Sequence, residues 1–533
     1  TSMRAACVPR ASPFTPGVAF DRSARGRVTR APARAVMFVK PTRRAASNTS
    51  SSMMMPTTIH QRSALTRASS PSSSPDAGEG DGLVLRKLEG RAALARAVFP
   101  VAVACLGGVS FGYHLGAVNP ALEHLARDIG VAADVGAKAS VVSSLLFACI
   151  FSAFAAGGMA DRFGRKATLT LAAAALGVGS AACASATGLS AMLLGRALAG
   201  VGVGIVSILV PMYISEVSPD EHRGVLGSAN QLSIGAGILC AMVAGLPLQS
   251  ATVNPTWWRT MFWIASVPAI ALGALLRAVP ESPAWLRSRG KFQEADDVDV
   301  RLFGAPSGES ANATGAKTAA SWADTLRNRN NRRAILTGPT LFLIQQFAGI
   351  NAIIYFSTSI FEGAGVQSGV LASVLVCVVN ILGSVIATGL LDKMGRKPLL
   401  AYSFLGMTAC CLGLAASAAF PASALAPSLS LVAVVGYVFI FGMGAGPVPG
   451  LLSSEIFAPA VRGKGMSLCF LSHWLFNFFI GQGFLPAVES FGASAVYAFF
   501  AAFSFIGYVF AQTYVIETKG KSLEQISAEM NGK

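Results

Sequence analysis

The sequence predicts an all-α membrane protein with twelve transmembrane helices in two homologous six-helix halves. Hydrophobic residues fill 53% of its 533 positions and charged residues only 13%, whereas soluble domains carry about 25% charged residues. Long runs of the chain contain no charged residue at all. A charged motif between two such runs returns later at a constant offset, which indicates that the second half duplicates the first.

The uncharged runs begin after Arg96, and a helix needs about 20 residues to cross a bilayer. They cover 97–122, 139–160, 167–195, 197–215, 224–258, 260–276, 334–361, 363–391, 398–454, 465–488 and 490–516. The run 398–454 is too long for one crossing, and Pro421 and Pro427 predict a turn inside it. Eleven runs thus predict twelve spans, with both ends of the chain on one side of the membrane.

Charged residues at the ends of the spans repeat between the halves. Asp161, Arg165 and Lys166 return as Asp392, Arg396 and Lys397 at an offset of 231, Glu216 and Arg223 return as Glu455 and Arg462 at an offset of 239, and Glu281 corresponds to Glu517. Such acids and arginines can pair in one conformation and separate in another. We predict gating ion pairs of Arg165, Arg223, Arg396 and Arg462 with these acids when the pocket faces the opposite membrane side.

Lysine and arginine are concentrated in the loops on one membrane side, which we call the basic side. The loops between spans 7 and 8, 9 and 10, and 11 and 12 contain neither residue and lie on the opposite side. This asymmetry gives one consistent orientation along the chain.

The sequence divides into five regions: 1–85, the half 86–279, the central loop 280–333, the half 334–516 and the tail 517–533. Residues 1–85 are rich in Arg, Ser, Ala and Pro and nearly free of acids, which predicts a disordered segment that resembles an organellar transit peptide. A basic tail that binds nucleic acid and a disordered regulatory tail are the alternatives. In the central loop, Ser282 followed by Pro283 predicts the start of a short helix, whereas 304–318 could be a disordered linker.

Neutral amides inside the apolar spans are the candidate ligand-binding residues, namely Gln231, Gln345, Gln346, Asn351, Asn380 and Asn477. An amide offers donors and acceptors without a charge to desolvate, which suits a ligand made of neutral hydroxyls. The alternative for each is a hydrogen bond between helices. In one continuous helix, Asn351 could not face the same pocket as Gln345 and Gln346, so we predict a break near Gly349.

These motifs together resemble the sugar porters of the major facilitator superfamily over roughly 95–525. The matching segments are 158–166 and 392–397, the Glu-x6-Arg pairs, 280–283 and 517–520. Within that family, the segments 111–116, 257–262 and 444–449 are similar to the plastidic glucose translocators. The resemblance implies the major facilitator fold, sugar contacts for all six amides, and no cofactor.

The resemblance also implies a carrier of a hexose, most simply glucose, that works by alternating access in the plastid inner envelope. The alternatives are a proton-coupled sugar symporter and a sugar sensor that does not transport. An enzyme is disfavoured because the spans contain no nucleophile and base pair, phosphate loop or metal cluster.

Three positions depart from what the resemblance implies. Proton-coupled sugar porters carry Asp where this chain has His114, with an Arg at the place of Arg196, so His114 predicts a uniporter. Gly450 stands where the family usually has Trp, and Gly442 where it has an acid. The two glycines predict a wider pocket.

Overall fold

The structure is a computed structural model that describes residues 77–250, 254–306, 329–457, 461–522, 525–526 and 528–529. Every regular element in these ranges is helical. Twelve segments in the described ranges are long and apolar enough to cross a bilayer. The all-α class and the twelve predicted spans are therefore confirmed.

The first half and the central loop hold nine α-helices in the described part of the chain. They are α1 (Ala77–Gly116), α2 (Val118–Asp128), α3 (Val135–Phe163), α4 (Arg165–Ala184), α5 (Leu189–Val217), α6 (Arg223–Gly245), α7 (Trp257–Leu275), α8 (Pro283–Ser288) and α9 (Phe292–Phe303). The first span is the part Gly90–Gly116 of α1, and the fifth continues from α6 through a short 3-10 turn, Leu246–Gln249.

The second half holds eight α-helices among the described residues. They are α10 (Arg329–Phe347), α11 (Ile350–Gly363), α12 (Gly369–Met394), α13 (Arg396–Ala419), α14 (Ala426–Met443), α15 (Pro447–Ile456), α16 (Arg462–Phe491) and α17 (Ala493–Thr513). α10 with α11 and α14 with α15 each form one span, Arg332–Gly363 and Ala426–Ile456. The turn predicted from Pro421 and Pro427 is confirmed, because α13 ends at Ala419 and α14 begins at Ala426.

The start of α1 corrects one boundary. The sequence predicted no structure before residue 86, but α1 begins at Ala77, and 1–76 lie outside the described residues. The stretch from Leu83 to Ala97 is rich in Leu, Arg, Lys, Glu and Ala and contains no Pro. Its high helix propensity therefore extends the helix of the first span to positions before residue 86.

Close helix packing within the first half depends on glycines. A Cβ atom at Gly112 would lie 1.9 Å from the carbonyl oxygen of Ile234, and one at Gly237 would lie 2.2 Å from that of Val109. Small residues let helix backbones approach in a membrane, where packing rather than the hydrophobic effect holds helices together. α1 and α6 are joined in this way, and α3 with α16 and α6 with α12 pack across the two halves.

The central loop forms a helical layer on the basic side. Ser282 caps α8 by accepting a hydrogen bond from the Trp285 amide at 3.1 Å, which confirms the predicted helix start. The Tyr213 hydroxyl donates to the Pro280 carbonyl at 2.7 Å, and Trp285 Nε1 donates to the Asp161 carbonyl at 2.9 Å. These bonds fix α8 against the first half. Most of the proposed linker 304–318 lies outside the described residues.

Candidate binding site between the two halves

The seventh span is broken at the predicted place. α10 ends at Phe347, α11 begins at Ile350, and Gly349 has φ of 101°, in the left-handed region that only glycine adopts readily. A Cβ atom there would lie 2.4 Å from the ring of Phe500. The break turns the chain so that Asn351 Nδ2 donates to Gln346 Oε1 at 2.5 Å, a contact that one straight helix would not allow.

A second break, which the sequence analysis did not predict, lies in the tenth span. α14 ends at Met443 and α15 begins at Pro447, so the Ala445 carbonyl between them is available to a side chain. Gln345 Nε2 donates to the Ala445 carbonyl at 2.6 Å. The run of Gly and Pro in 444–449 is a turn signal that could have indicated this break from sequence.

The candidate amides around the two breaks form one chain of hydrogen bonds. Gln346 Nε2 donates to Gln345 Oε1 at 3.3 Å and to His473 Nδ1 at 2.9 Å. Gln345, Gln346 and Asn351 are buried, while His473 on α16 is partly exposed. The structure thus joins three of the six predicted ligand residues directly, and it adds His473.

The other three candidate amides are placed differently. Asn477 is buried on α16, where its Oδ1 accepts from the Tyr355 hydroxyl at 3.0 Å. Asn380 lines a small cavity between α6, α11, α12 and α14. Gln231 on α6 is exposed. Asn477 therefore lies one helical turn from His473, whereas Asn380 and Gln231 stand apart from the hydrogen-bonded chain.

Three residues of this region were missed in the sequence analysis, namely His473, Trp474 and Tyr355. Trp474 is buried, packs against Phe111 of the first half at 5.7 Å between ring centroids, and leaves its Nε1 donor without a partner in the described chain. None of the three is a neutral amide, the residue type predicted to bind the ligand. A histidine within an apolar span is itself a sign of a functional site, and that criterion would have found His473.

The two halves are joined by hydrogen bonds on the side opposite the basic loops. Asn119 Nδ2 donates to the Ile354 carbonyl and to Ser357 Oγ, both at 2.7 Å, and Asn119 Oδ1 accepts from the Thr358 amide at 3.1 Å. Farther along the same face, Ser143 Oγ donates to Gln482 Oε1 at 2.5 Å. The structure is therefore closed on the opposite side.

His114 and Arg196 are buried inside the first half. The Ser180 hydroxyl donates to the Leu176 carbonyl at 2.7 Å, so His114 Nε2, at 3.0 Å from Ser180 Oγ, must donate to it. Arg196 Nη1 donates to the His114 carbonyl at 3.0 Å and Arg196 Nε to the Val141 carbonyl at 3.1 Å. His114 thus bonds a neighbouring helix as a neutral donor, and no ion pair of Arg196 is found among the described residues.

On the basic side, the predicted charged residues of the first half form a latch. Arg165 makes two hydrogen bonds to Glu216, both at 2.9 Å, and a third to Asp161 at 3.2 Å. Glu281 accepts from the backbone amides of Arg165 and Lys166, each at 3.1 Å, and so caps the first turn of α4. A carboxylate at a helix N-terminus also complements the helix dipole.

The second half repeats this latch with fewer bonds. Arg396 Nη2 donates to Glu455 at 2.9 Å, and Glu517 accepts from the amides of Arg396 and Lys397, each at 3.0 Å. Burial favours a raised pKa for Glu517, but four backbone N–H donors outweigh it and lower the pKa below the usual value. The latch thus gains stability from Glu517 at neutral pH, and this gain is lost as the pH falls through that lowered pKa.

Both latches are present while the opposite side is closed, and each joins helices of one half. That the pairs form when the pocket faces the opposite side stays a prediction. Arg223 Nε donates to the Ser215 carbonyl and Arg462 Nε to the Phe457 carbonyl. The Asp392 side chain lies outside the described residues.

Of the two glycines that predicted a wider pocket, only one faces open space. A Cβ atom at Gly442 would lie 3.0 Å from the Asn380 carbonyl oxygen and 3.3 Å from Gly383, so this glycine lets α12 and α14 pack closely. The prediction is wrong for Gly442. A Cβ atom at Gly450 would have no neighbour within 4 Å, so the space expected there is present.

Replacing Glu216 by Gln is expected to lower the melting temperature of the purified protein more than replacing Glu455 by Gln. Arg165 is buried and bonds both oxygens of Glu216, so Gln removes the charge and one acceptor at a cost of roughly 2–4 kcal/mol. Arg396 makes one such bond and is more exposed. Thermal unfolding in detergent measures the difference. Asp161→Asn is the control, because its side chain is 77% exposed, and a larger effect there would contradict the expectation.

This chain is similar to known transporters in sequence and in structure. The family model described as "Sugar (and other) transporter" matches residues 101–530. The "Plastidic glucose transporter 4" of Arabidopsis thaliana is 44% identical over 490 residues, which cover 90% of this chain and 88% of that protein. The inward-open structure of the xylose transporter XylE from E. coli aligns with a TM-score of 0.70 and 28% identity, over 81% of this chain and 99% of that one.

Proposed function

This chain belongs to the sugar transporter family of the major facilitator superfamily, and we propose from this that it carries a hexose, glucose, across its membrane by alternating access. The observation that supports the substrate class is the hydrogen-bonded chain of Gln345, Gln346, Asn351 and His473 at two helix breaks. Neutral donors and acceptors match hydroxyl groups, and at about 1 kcal/mol per bond they hold a sugar weakly enough to release it.

We propose further that transport is uniport. A proton-coupled carrier needs a group whose protonation releases a buried cation. In this chain Arg196 bonds the backbone carbonyls of His114 and Val141, and His114 presents a neutral imidazole to Ser180. A protonated His114 beside Arg196 would add a second positive charge to a buried site, which low dielectric makes unfavourable.

The proposed location is the plastid inner envelope. Four proteins of Arabidopsis thaliana named as plastidic glucose transporters, three of them as probable ones, are 36–44% identical to this chain. The Arg- and Ser-rich residues 1–85 have the composition of a transit peptide. The multi-pass membrane architecture agrees with an envelope carrier.

Uptake of labelled glucose by liposomes that contain only this protein tests the proposal. We expect uptake to equilibrate and to show no accumulation when an inward proton gradient is imposed. Liposomes without protein provide the control for leakage. Accumulation above equilibrium that an uncoupler abolishes would instead establish the second candidate, a proton-coupled symporter, which the likeness to a "proton:xylose symporter" of known structure favours. Absence of any uptake would contradict a carrier of glucose.

A further inference from the structure

A cavity of about 500 Å³ lies at the surface on the side opposite the basic loops, and it shares no lining residue with the candidate binding site. It forms between α2, which follows the first span, and the connection between the fifth and sixth spans. Pockets that bind small molecules usually enclose about 300–1,000 Å³. The polar side chains of its lining are those of His124, Arg127, Asp128, Gln249, Ser250 and Asn254.

The acids of α2 beside this cavity are already paired with cations. Asp128 accepts from Arg259 Nη2 at 2.8 Å, and Glu123 accepts from Lys138 Nζ at 3.1 Å. Arg127 is exposed, and neither a hydrogen bond nor an ion pair of its side chain is found among the described residues. Its guanidinium therefore brings to the cavity a positive charge that no described carboxylate neutralises by contact.

The charges that act on His124 show the sign of the potential in the cavity. Partial burial lowers the pKa of the His124 imidazole, and the charge of Arg127 lowers it further, by more than Glu123 raises it. Glu362 of α11 is close enough for the charges of Arg127 and Glu123 to act on it, but it forms no ion pair within the described chain. The potential at His124 is thus positive, which favours a negatively charged ligand.

Two amide side chains of the lining have their oxygen atoms occupied. Asn254 Oδ1 accepts from the Thr256 amide at 3.0 Å and from Thr256 Oγ1 at 2.7 Å. Because a backbone N–H can only donate, this contact fixes the orientation of the Asn254 amide. Gln249 Oε1 accepts from Ser368 Oγ at 2.9 Å. Asn254 Nδ2 and Gln249 Nε2 have no partner among the described residues, so both keep unused N–H donors.

We propose that this cavity binds a phosphate group, either of inorganic phosphate or of a small phosphate ester. Arg127 supplies a planar charged fork that can bond two phosphate oxygens, and Asn254 Nδ2 and Gln249 Nε2 supply neutral donors. A neutral sugar would also require acceptors, but the oxygens of both amides are occupied within the protein. The site does not depend on the proposed transport of glucose.

Titration calorimetry of the purified full chain in detergent tests the site, with inorganic phosphate and glucose 6-phosphate as separate ligands. We expect binding, and we expect Arg127→Gln to weaken it roughly tenfold or more, because the charged donor is lost. Arg277→Gln is the matched control, since it removes the same charge from an exposed arginine on the basic side and should leave the affinities unchanged.

The two ligands distinguish the two sources of the phosphate group. Equal affinities would support recognition of the phosphate group alone, and tighter binding of glucose 6-phosphate would support an ester. Absence of binding by both ligands, or equal affinities of Arg127→Gln and the unmodified protein, would overturn the proposal.

Asn254→Asp tests the amide donor while keeping the local fold. Aspartate retains the oxygen that accepts from Thr256, but it replaces Nδ2 by a negatively charged oxygen, so we expect phosphate binding to be abolished. Retained binding in a variant with an unchanged melting temperature would refute the site. Glucose should not displace the phosphate. Displacement by glucose would place the phosphate in the transport site and overturn a separate cavity, whatever the protein transports.

Discussion

Asn119→Ala is expected to open the carrier on the side opposite the basic loops. Asn119 bonds the Ile354 carbonyl, Ser357 Oγ and the Thr358 amide, and no other described side chain makes as many hydrogen bonds between the halves on this side. Ser357 Oγ in turn donates a hydrogen bond to Ser373 Oγ at 2.7 Å. Removing the Asn119 side-chain amide therefore destabilises the state that is closed on the opposite side and leaves the state that is open there unaffected.

The size of the shift depends on whether the groups that bond Asn119 find other hydrogen-bond partners after the substitution. Three neutral hydrogen bonds contribute about 1 kcal/mol each. The Ile354 carbonyl and the Thr358 amide are four residues apart in α11, so they can satisfy each other as a helical pair once Asn119 is gone. The expected net loss is about 1–2 kcal/mol, which moves the equilibrium roughly 5–30-fold toward the state that opens on the opposite side.

Pulsed electron paramagnetic resonance measures this shift. Spin labels at Arg127 and Gln367, which are exposed on the two halves at the opposite side, should show a longer distance in Asn119→Ala. Ser368→Ala is the matched control, because it removes an exposed bond to Gln249 across the same face and should change little. An unchanged distance distribution in Asn119→Ala would show that this contact does not hold the halves together.

Much of the fold could be predicted because it depends on local properties of the chain. Span number follows from runs without charge, and the turn near Pro421 follows from the restricted backbone of proline. The break at Gly349 was predicted by geometry, since Gln346 and Asn351 cannot share a pocket on one helix. The cap of α8 by Ser282 likewise depends on a few adjacent residues.

The contacts of the candidate site could not be predicted in the same way. Gln345 bonds a carbonyl 100 residues away and Gln346 bonds a histidine 127 residues away, so neither pairing is visible in a local pattern. The partners of the latch residues were left open for a related reason. The sequence places Arg165 and Glu216 at span ends of the first half, but it does not show which acid each arginine contacts.

The burial of His114 and Arg196 matters most for the mechanism. Arg196 is nearly inaccessible and donates hydrogen bonds to backbone carbonyls of α1 and α3, which can remain bonded to it as the first half moves as a unit. Among the described residues no carboxylate pairs with Arg196, as the proposed uniport requires. The identity of residue 114 should therefore decide whether transport depends on protons.

His114→Asp is expected to make glucose transport strongly dependent on pH. Arg196 Nη1 lies 3.0 Å from the carbonyl oxygen of His114, so a carboxylate on the same residue lies within reach of the guanidinium. An ionised carboxylate would hold Arg196 in a buried pair, and about 1.4 kcal/mol of such locking slows transport roughly tenfold. As the pH falls, protonation breaks the pair and transport should recover.

Uptake into liposomes across a series of pH values measures this dependence. His114→Asn is the matched control, because it is neutral and keeps a donor for Ser180, and we expect its uptake to follow the unmodified protein at every pH. If His114→Asp and His114→Asn give the same pH profile, Arg196 does not respond to a neighbouring carboxylate, and the absence of one at position 114 does not support the proposed uniport. A profile in which only His114→Asp loses transport at neutral pH would show that this single buried position separates a uniporter from a carrier sensitive to protons.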